Sequence, residues 1–358
     1  MDVPPQADSP ARRGVALKLG LSVLLGGAFV VALSDHLETV PDDVSIAPGI
    51  VAAYLLTLLP YHLLRAGRWR LLLTPLRGER LPGLGEVTRI GLAGYMWIAL
   101  MPFRLGEFAR PVFLAQRSDI KVSTSLGTVA IERAVDGVLV CGLFFVGMAG
   151  ASPREQTDTL FLASYAVMGA FAVALLGMLA AARWPTPLAD FARVALQWAP
   201  ALAEWAATTI EGVAEGFRAL PDLRAISGFV TASVGYWLAN AAGMWVLARG
   251  CGLALSPHEA IATLAIMNLA LLVPGGPAQL GVFQAGVAVG LHLFAPPEVV
   301  KDAGSTFAFY LYVCQLSSIV LLGLASQWSL ALDWRAALRL GAPPPDASPS
   351  SSDREKVT

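Results

Sequence analysis

An all-α fold embedded in a membrane is what this sequence predicts, and three observations carry the prediction. Of 358 residues, 56% are hydrophobic and 14% charged, with mean hydropathy +0.62, a balance too apolar for a soluble domain and too extensive for a single anchor. Apolar runs of roughly 20 residues, the length that crosses a bilayer, recur along the chain. Two other runs of about 14 residues stop at clusters of proline and glycine, a length that suits a re-entrant segment. The expected architecture is a polytopic helical membrane protein with about six full spans and two re-entrant helical hairpins.

In chain order, residues 1–13 are a polar, proline-rich lead expected to be disordered. Arg12, Arg13 and Lys18 then precede an apolar stretch ending at Leu33. It is long for a signal core and reads as an uncleaved first span, with cleavage near Ser34 as the alternative. The loop 34–45 carries Asp35, Glu38, Asp42 and Asp43 and no Lys or Arg, whereas the span at 46–64 is followed by Arg65, Arg68, Arg70, Arg77, Arg80 and Arg89. The positive-inside rule places that basic segment in the cytoplasm, and with it both termini, in the inner (plasma) membrane of the cell. Further spans are expected at 125–150, 160–182, 225–247 and 305–332. Residues 198–221, with Leu202, Trp205, Ile210, Val213, Phe217 and Leu220 near helical spacing, read as an amphipathic cytoplasmic linker helix. Residues 333–358 form a Pro/Ser-rich tail, mostly disordered.

The short runs lie at 90–103 and 260–273, and the transmembrane region 14–332 divides around them into halves at 46–150 and 225–332. Trp69, Glu86, Pro102 and Gly106 in the first half are matched in order by Trp245, Glu259, Pro274 and Gly281 in the second. In the frame set by the arginines the two hairpins enter from opposite sides, so the halves form an inverted repeat. Paired broken segments of this kind point to a transport site near mid-depth. Half-helices starting after Pro102 and after Pro277 would aim free N–H groups at a shared cavity. The candidate substrate-binding residues are Pro102, Arg104, Gly106, Glu107 and Arg110 at the first break, and Pro274, Gly275, Gly276, Gln279, Gly281 and Gln284 at the second. The third span adds Glu132, Arg133 and Asp136, whose spacing allows an ion network on one helix face, either gluing helices or meeting substrate. Arg65, Arg68 and Trp69 sit at a membrane boundary and read as interfacial anchors or head-group contacts. Arginine forks suit phosphate oxygens, so an anionic head group is expected.

These motifs together resemble one family. Arg68-Trp69, Pro102-Phe-Arg-Leu-Gly-Glu107 with Arg110, Glu132-Arg133 with Asp136, and Pro274-Gly-Gly-Pro-Ala-Gln-Leu-Gly-Val-Phe283 look like the lysylphosphatidylglycerol synthase transmembrane, or flippase-like, family of bacterial and archaeal membrane proteins. The resemblance covers roughly residues 14–332. It implies a helical domain that moves lipids or lipid-linked head groups between leaflets, fused in the best-known members to a soluble aminoacyl transferase. Here the chain ends soon after its last span, so that synthase chemistry is expected to be absent, with a separate lipid-modifying enzyme as a partner. Gln284 stands where the family tends to carry an acid, and Tyr310 and Tyr312 occupy a last span without the expected arginine.

Other chemistry is missing from the sequence. His36, His62, His258 and His292 show no metal-ligand spacing, and Cys141, Cys251 and Cys314 no pairing pattern. With no P-loop or hydrolase elbow, no catalytic residue, metal or cofactor is expected, and a net charge of −1 gives no reason to expect nucleic acid. The expected function is translocation of an anionic phospholipid or lipid-linked phosphate. A membrane glycosyltransferase acting on polyprenyl phosphate and a non-transporting envelope assembly factor are the alternatives.

Overall fold

The computed structural model describes residues 20, 23–24, 26–32, 34–35, 37–41, 44–74, 80–101, 106–154, 157–200, 203–204, 206–207, 210–211, 223–273 and 276–334. These residues form helices and connecting turns, with no strand among them. The helices are α1 (Pro48–Gly67), α2 (Trp69–Leu73), α3 (Leu84–Leu100), α4 (Ala109–Ala115), α5 (Val122–Ala149), α6 (Asp158–Arg183) and α7 (Pro185–Ala195), followed by α8 (Leu223–Gly250), α9 (Pro257–Ala270), α10 (Val282–His292) and α11 (Ser305–Ser329). A π-helical turn, Val300–Gly304, leads from the short turn Pro297–Val299 into α11.

Local chemistry sets several of the ends. Proline occupies the first turn of α1 and of α9, where a missing N–H costs nothing. Ser256 and Glu259 close a reciprocal capping box on α9, Ser256 N–H donating to Glu259 Oε2 at 2.8 Å and Glu259 N–H to Ser256 Oγ at 3.3 Å. That box gives Glu259, aligned by sequence with Glu86, a structural task. Glu86 has a different one, pairing with Arg117 at 2.9 Å.

Three described helices are long and apolar enough to cross a membrane: Pro48–Leu73, Asp158–Met178 and Pro297–Ser329. Helices α5 and α8 have 28 residues each, about 42 Å at 1.5 Å per residue and thus long enough to span. Helix α5 carries Glu132, Arg133 and Asp136 near its middle, so its composition hides its length. The limbs of the two hairpins are shorter. Helices α3 and α4 have 17 and 7 residues and α9 and α10 have 14 and 11, and none reaches the roughly 30 Å of a hydrocarbon core.

Each half thus runs long helix, broken hairpin, long helix, and the packing respects that correspondence. Helix α1 packs on α8, α3 of the first hairpin packs on α11, and α9 of the second packs on α5. Exchanging every first-half helix for its second-half counterpart returns the same three pairs. The two hairpins even use the same device. A side chain on Gly147 of α5 would collide with Ala262 of α9, and one on Gly323 of α11 with Met96 of α3.

The linker carries one helix that was not expected. The amphipathic helix seen on the linker is α7, earlier than 198–221, with Phe191 and Val194 exposed beside Trp184 and Trp198. Most of 198–221 lies outside the described residues, as do 1–13 and 335–358.

Candidate functional site

Charged residues inside this bundle fall into two groups, one sealed and one open. The sealed group starts from α5, where Glu132 and Asp136, one turn apart, face the same way. Glu132 is 0% exposed and Asp136 7%. Arg68, at the junction of α1 and α2, places Nη2 2.6 Å from Asp136 Oδ2 and 3.2 Å from Glu132 Oε1, and Nη1 2.5 Å from Ser233 Oγ of α8. Arg110 of α4 reaches Glu132 from the other side, with Nη1 3.0 Å from Oε2. Tyr95 of α3 donates its hydroxyl to Glu132, and Tyr236 of α8 donates to Asp136 Oδ1 at 2.7 Å. Two guanidiniums thus meet two carboxylates. The remaining guanidinium faces lie on aromatic rings, Arg68 4.5 Å from the centre of Tyr236 and Arg110 4.5 Å from Tyr95 and 5.1 Å from Trp69. A side chain at Gly94 would collide with Cγ of Arg110, so α3 must carry glycine where that arginine passes.

This geometry revises several expectations. Arg68 and Trp69, expected at the membrane boundary, are 2% and 0% exposed, because Arg68 is needed by both carboxylates and Trp69 donates its indole N–H to Thr128 Oγ1 at 2.9 Å. Arg110 and Glu132 are enclosed behind the cavity wall. Arg133 does not join its neighbours on α5. One residue on from Glu132, it faces about 100° away, and its Nε lies 3.6 Å from Glu107 Oε1 beside the first hairpin tip.

The open group lines a cavity of about 660 Å³ between the halves. Arg65 and His62 of α1, Arg133 and Asp136 of α5, Glu107 of the first hairpin and Gln279 of the second all border it, as do the tyrosines Tyr61, Tyr95, Tyr236 and Tyr312. Arg65 donates to Tyr61 Oη at 2.9 Å and lies 4.1 Å from the centre of the Tyr95 ring, and it has no carboxylate partner among the described residues. Arg65 Nε and Arg133 Nε and Nη2 are buried without a hydrogen-bond partner among the described residues. Asp136 is already held by Arg68, so Arg65 and Arg133 face the single carboxylate of Glu107. Among the described residues the wall and the cluster behind it carry one more guanidinium than carboxylate.

The hairpin tips meet this cavity differently. Gly106 folds back against the Trp97 carbonyl, where any side chain would collide. In the second hairpin Ala278 and Gln279 hold positive φ of 54° and 60°, and Tyr312 donates its hydroxyl to the Ala278 carbonyl at 3.1 Å. Gly276 and Gly281 do not line the cavity but pack against residues 26–29 near the chain's start. The half-helix expected from Pro277 begins at Val282 instead, because Gly281 has φ +86° and its N–H is taken by Gln284 Oε1 at 2.8 Å. Capping needs only that carbonyl oxygen, which accounts for a glutamine at 284. Pro102, Arg104, Pro274 and Gly275 lie outside the described residues.

Residues the sequence reading passed over are Tyr95, Tyr236 and Ser233 in the sealed cluster and His62, Asn240, Asn268 and Gln315 on the cavity wall. A signal for the last four existed, since each is a polar residue inside an otherwise apolar helix.

The family described as Lysylphosphatidylglycerol synthase TM region matches residues 15–326. Among curated proteins, Glycosyltransferase AglD of Haloferax volcanii is 24% identical over 259 residues, 62% of this chain and 42% of that protein. The chain thus spans less than half of that relative's length. No solved structure matches it.

Proposed function

The chain belongs to the lysylphosphatidylglycerol synthase TM region family, and from that premise we propose that it moves a lipid with an anionic head group between leaflets. The lipid is an anionic phospholipid or a polyprenyl phosphate-type lipid. The observation that carries this reading is Arg65, a guanidinium on a cavity wall inside a membrane protein with no carboxylate partner among the described residues. A charge so placed is costly unless it meets a counter-ion or water, and Arg133 stands on the same wall with N–H groups unused.

In this mechanism a phosphate enters the cavity, bonds Arg65 and Arg133, and displaces Glu107 from Arg133. Glu107 compensates Arg133 between cycles, and its release links head-group binding to movement of the first hairpin. A cavity of about 660 Å³ is within the usual range for a bound small molecule and holds a head group while the acyl or prenyl chains stay in lipid. The basic segment 65–89 and both termini are cytoplasmic in this proposal, with the hairpins entering from opposite faces as an inverted repeat. The site comprises Arg65, Arg133 and Glu107.

The test uses the purified chain in liposomes with fluorescent phosphatidylglycerol, phosphatidylcholine, a polyprenyl phosphate and diacylglycerol. Phosphate-bearing lipids should cross faster than in empty vesicles, and Arg65→Ala should cut that gain about ten- to a hundredfold. Equal acceleration of diacylglycerol would count against an arginine-centred mechanism, and no acceleration of any lipid would favour an assembly role. The similarity to Glycosyltransferase AglD motivates a second reading, sugar transfer onto a lipid phosphate held in the same cavity. Radiolabelled sugar appearing on polyprenyl phosphate would favour it.

A further inference from the structure

One titratable group on the cavity wall has no part in the mechanism above. His62 is 3% exposed, borders the cavity, and has Nδ1 buried without a hydrogen-bond partner among the described residues. Its Nε2 lies 2.9 Å from Ser318 Oγ of α11. Ser318 has one hydroxyl proton, and that proton goes to the Gln315 carbonyl at 3.0 Å. With that bond made, the Ser318 oxygen accepts from His62 in the tautomer that carries the neutral ring's proton on Nε2, which leaves a lone pair on Nδ1. A buried acceptor left this way is costly, and protonation would turn it into a donor.

Arg65 sits three residues further along the same face of α1. In the empty cavity its uncompensated charge opposes a second cation on His62. A bound phosphate reverses the sign of that field. Among the described residues the other charged groups on the wall are Arg133 and Glu107, paired with each other, and Asp136, held by Arg68. The Tyr61 ring lies beside the imidazole, tilted by 58° with ring centres 4.7 Å apart, Tyr95, Tyr236 and Tyr312 face the cavity from α3, α8 and α11, and Asn240 and Gln315 add polar surface.

We propose, resting on the reading of the cavity as an anionic head-group site, that head-group binding takes up one proton at His62 Nδ1, so that the anion crosses with a proton. The proton comes from water on the side of entry and forms an N–H bond at Nδ1. The imidazolium donates that hydrogen to a phosphate oxygen, and the proton returns to water when the head group leaves. Linkage makes the coupling reciprocal, so acid must tighten anion binding by the factor by which the anion promotes protonation.

The probe is glycerophosphoglycerol, a soluble phosphodiester that does not itself titrate near neutrality, added to the purified full chain in detergent. Calorimetry in two buffers of different ionisation enthalpy counts protons taken up per anion bound. We expect proton uptake on binding that grows as the pH is lowered, and an affinity that weakens with rising pH by at most about tenfold per pH unit. His62→Gln should bind about tenfold more weakly in mild acid, with an affinity flat in pH. Ring ¹⁵N spectra of histidine-labelled chain, which has four histidines, should show one Nδ1 gaining a proton when the probe is added. Should His62→Gln fail to fold, the proton count and spectra of the unmodified chain decide. Binding without proton uptake, or uptake that persists in His62→Gln, overturns the coupling and leaves the head-group site standing. Absence of probe binding at every pH fells the head-group reading itself, and the coupling with it.

Discussion

Arg65 and Arg68 are separated by one helical turn and end in opposite circumstances. Arg68 is enclosed, shared between Glu132 and Asp136, while among the described residues Arg65 meets tyrosines and the cavity but no carboxylate. Glu132 and Arg133, adjacent on α5, divide in the same way. Residue type therefore does not decide which arginine is shared between carboxylates and which is left to tyrosines; compensation and enclosure do. A guanidinium balanced by carboxylates has no field left to offer. One balanced by nothing nearby attracts an anion.

The contrast breaks most visibly at Glu132. Glu132→Ala would leave Arg68 and Arg110 short of a counter-charge in an enclosed site, a change that costs about 3–5 kcal/mol for buried pairs. The expected outcome is a large fall in Tm and in folded yield in detergent. An unchanged Tm with transport lost would show the sealed cluster to be the working site and the contrast to be mistaken. Arg65→Ala should do the reverse, with Tm nearly unchanged and lipid translocation in liposomes reduced by ten- to a hundredfold, about 1.4–2.7 kcal/mol of lost interaction. Glu107→Gln sharpens the comparison from the other side. Freeing Arg133 from its partly exposed pair should tighten glycerophosphoglycerol binding by only a few fold, since such pairs contribute about 0.2–1 kcal/mol.

The smallest effect belongs to a third environment, the exposed network on α7. Arg193 bonds Asp190, Glu204 and Glu211, with its own side chain 37% exposed and that of Glu204 61%. Hydrogen bonds and the charge of Arg193 hold the Glu204 carboxyl below its usual range. Its contribution is fully present above the unfolded carboxylate pKa, about 4.3, and is lost as pH falls through the lower folded value. Solvent screening makes that contribution small. Arg193→Gln should leave Tm at neutral pH within error of the parent, and any difference should vanish in thermal scans at acid pH.

Much of the fold was legible because periodicity and break residues act locally. The long helices at 48–67, 158–183, 223–250 and 305–329 fall close to the apolar runs, and both hairpins are where Pro/Gly clusters interrupt them. The candidate site was harder to read because burial depends on which helices meet. Nothing local says that Arg68 turns inward to α5 and Arg65 toward the cavity, or that Tyr95 and Tyr236 arrive from α3 and α8 to complete the cluster. The amphipathic α7 was missed because its apolar residues are few and its stripe short. Gln284 looked like a departure from a charged pattern, whereas its task is to cap Gly281.

The π-helical turn Val300–Gly304 has a bearing on register. Such a turn accommodates one residue more than an α-helix would, and one residue is about 100° of rotation. Tyr312, Gln315 and Ser318 all lie downstream of it and all face the cavity or His62. Removing a single residue from 300–304 would leave α11 helical and apolar yet turn that face away from its partners by more than a quarter revolution. In this helix the phase of the inner wall depends on residue number as much as on residue identity, so shortened sequences would conserve every side chain of the wall and still lose it.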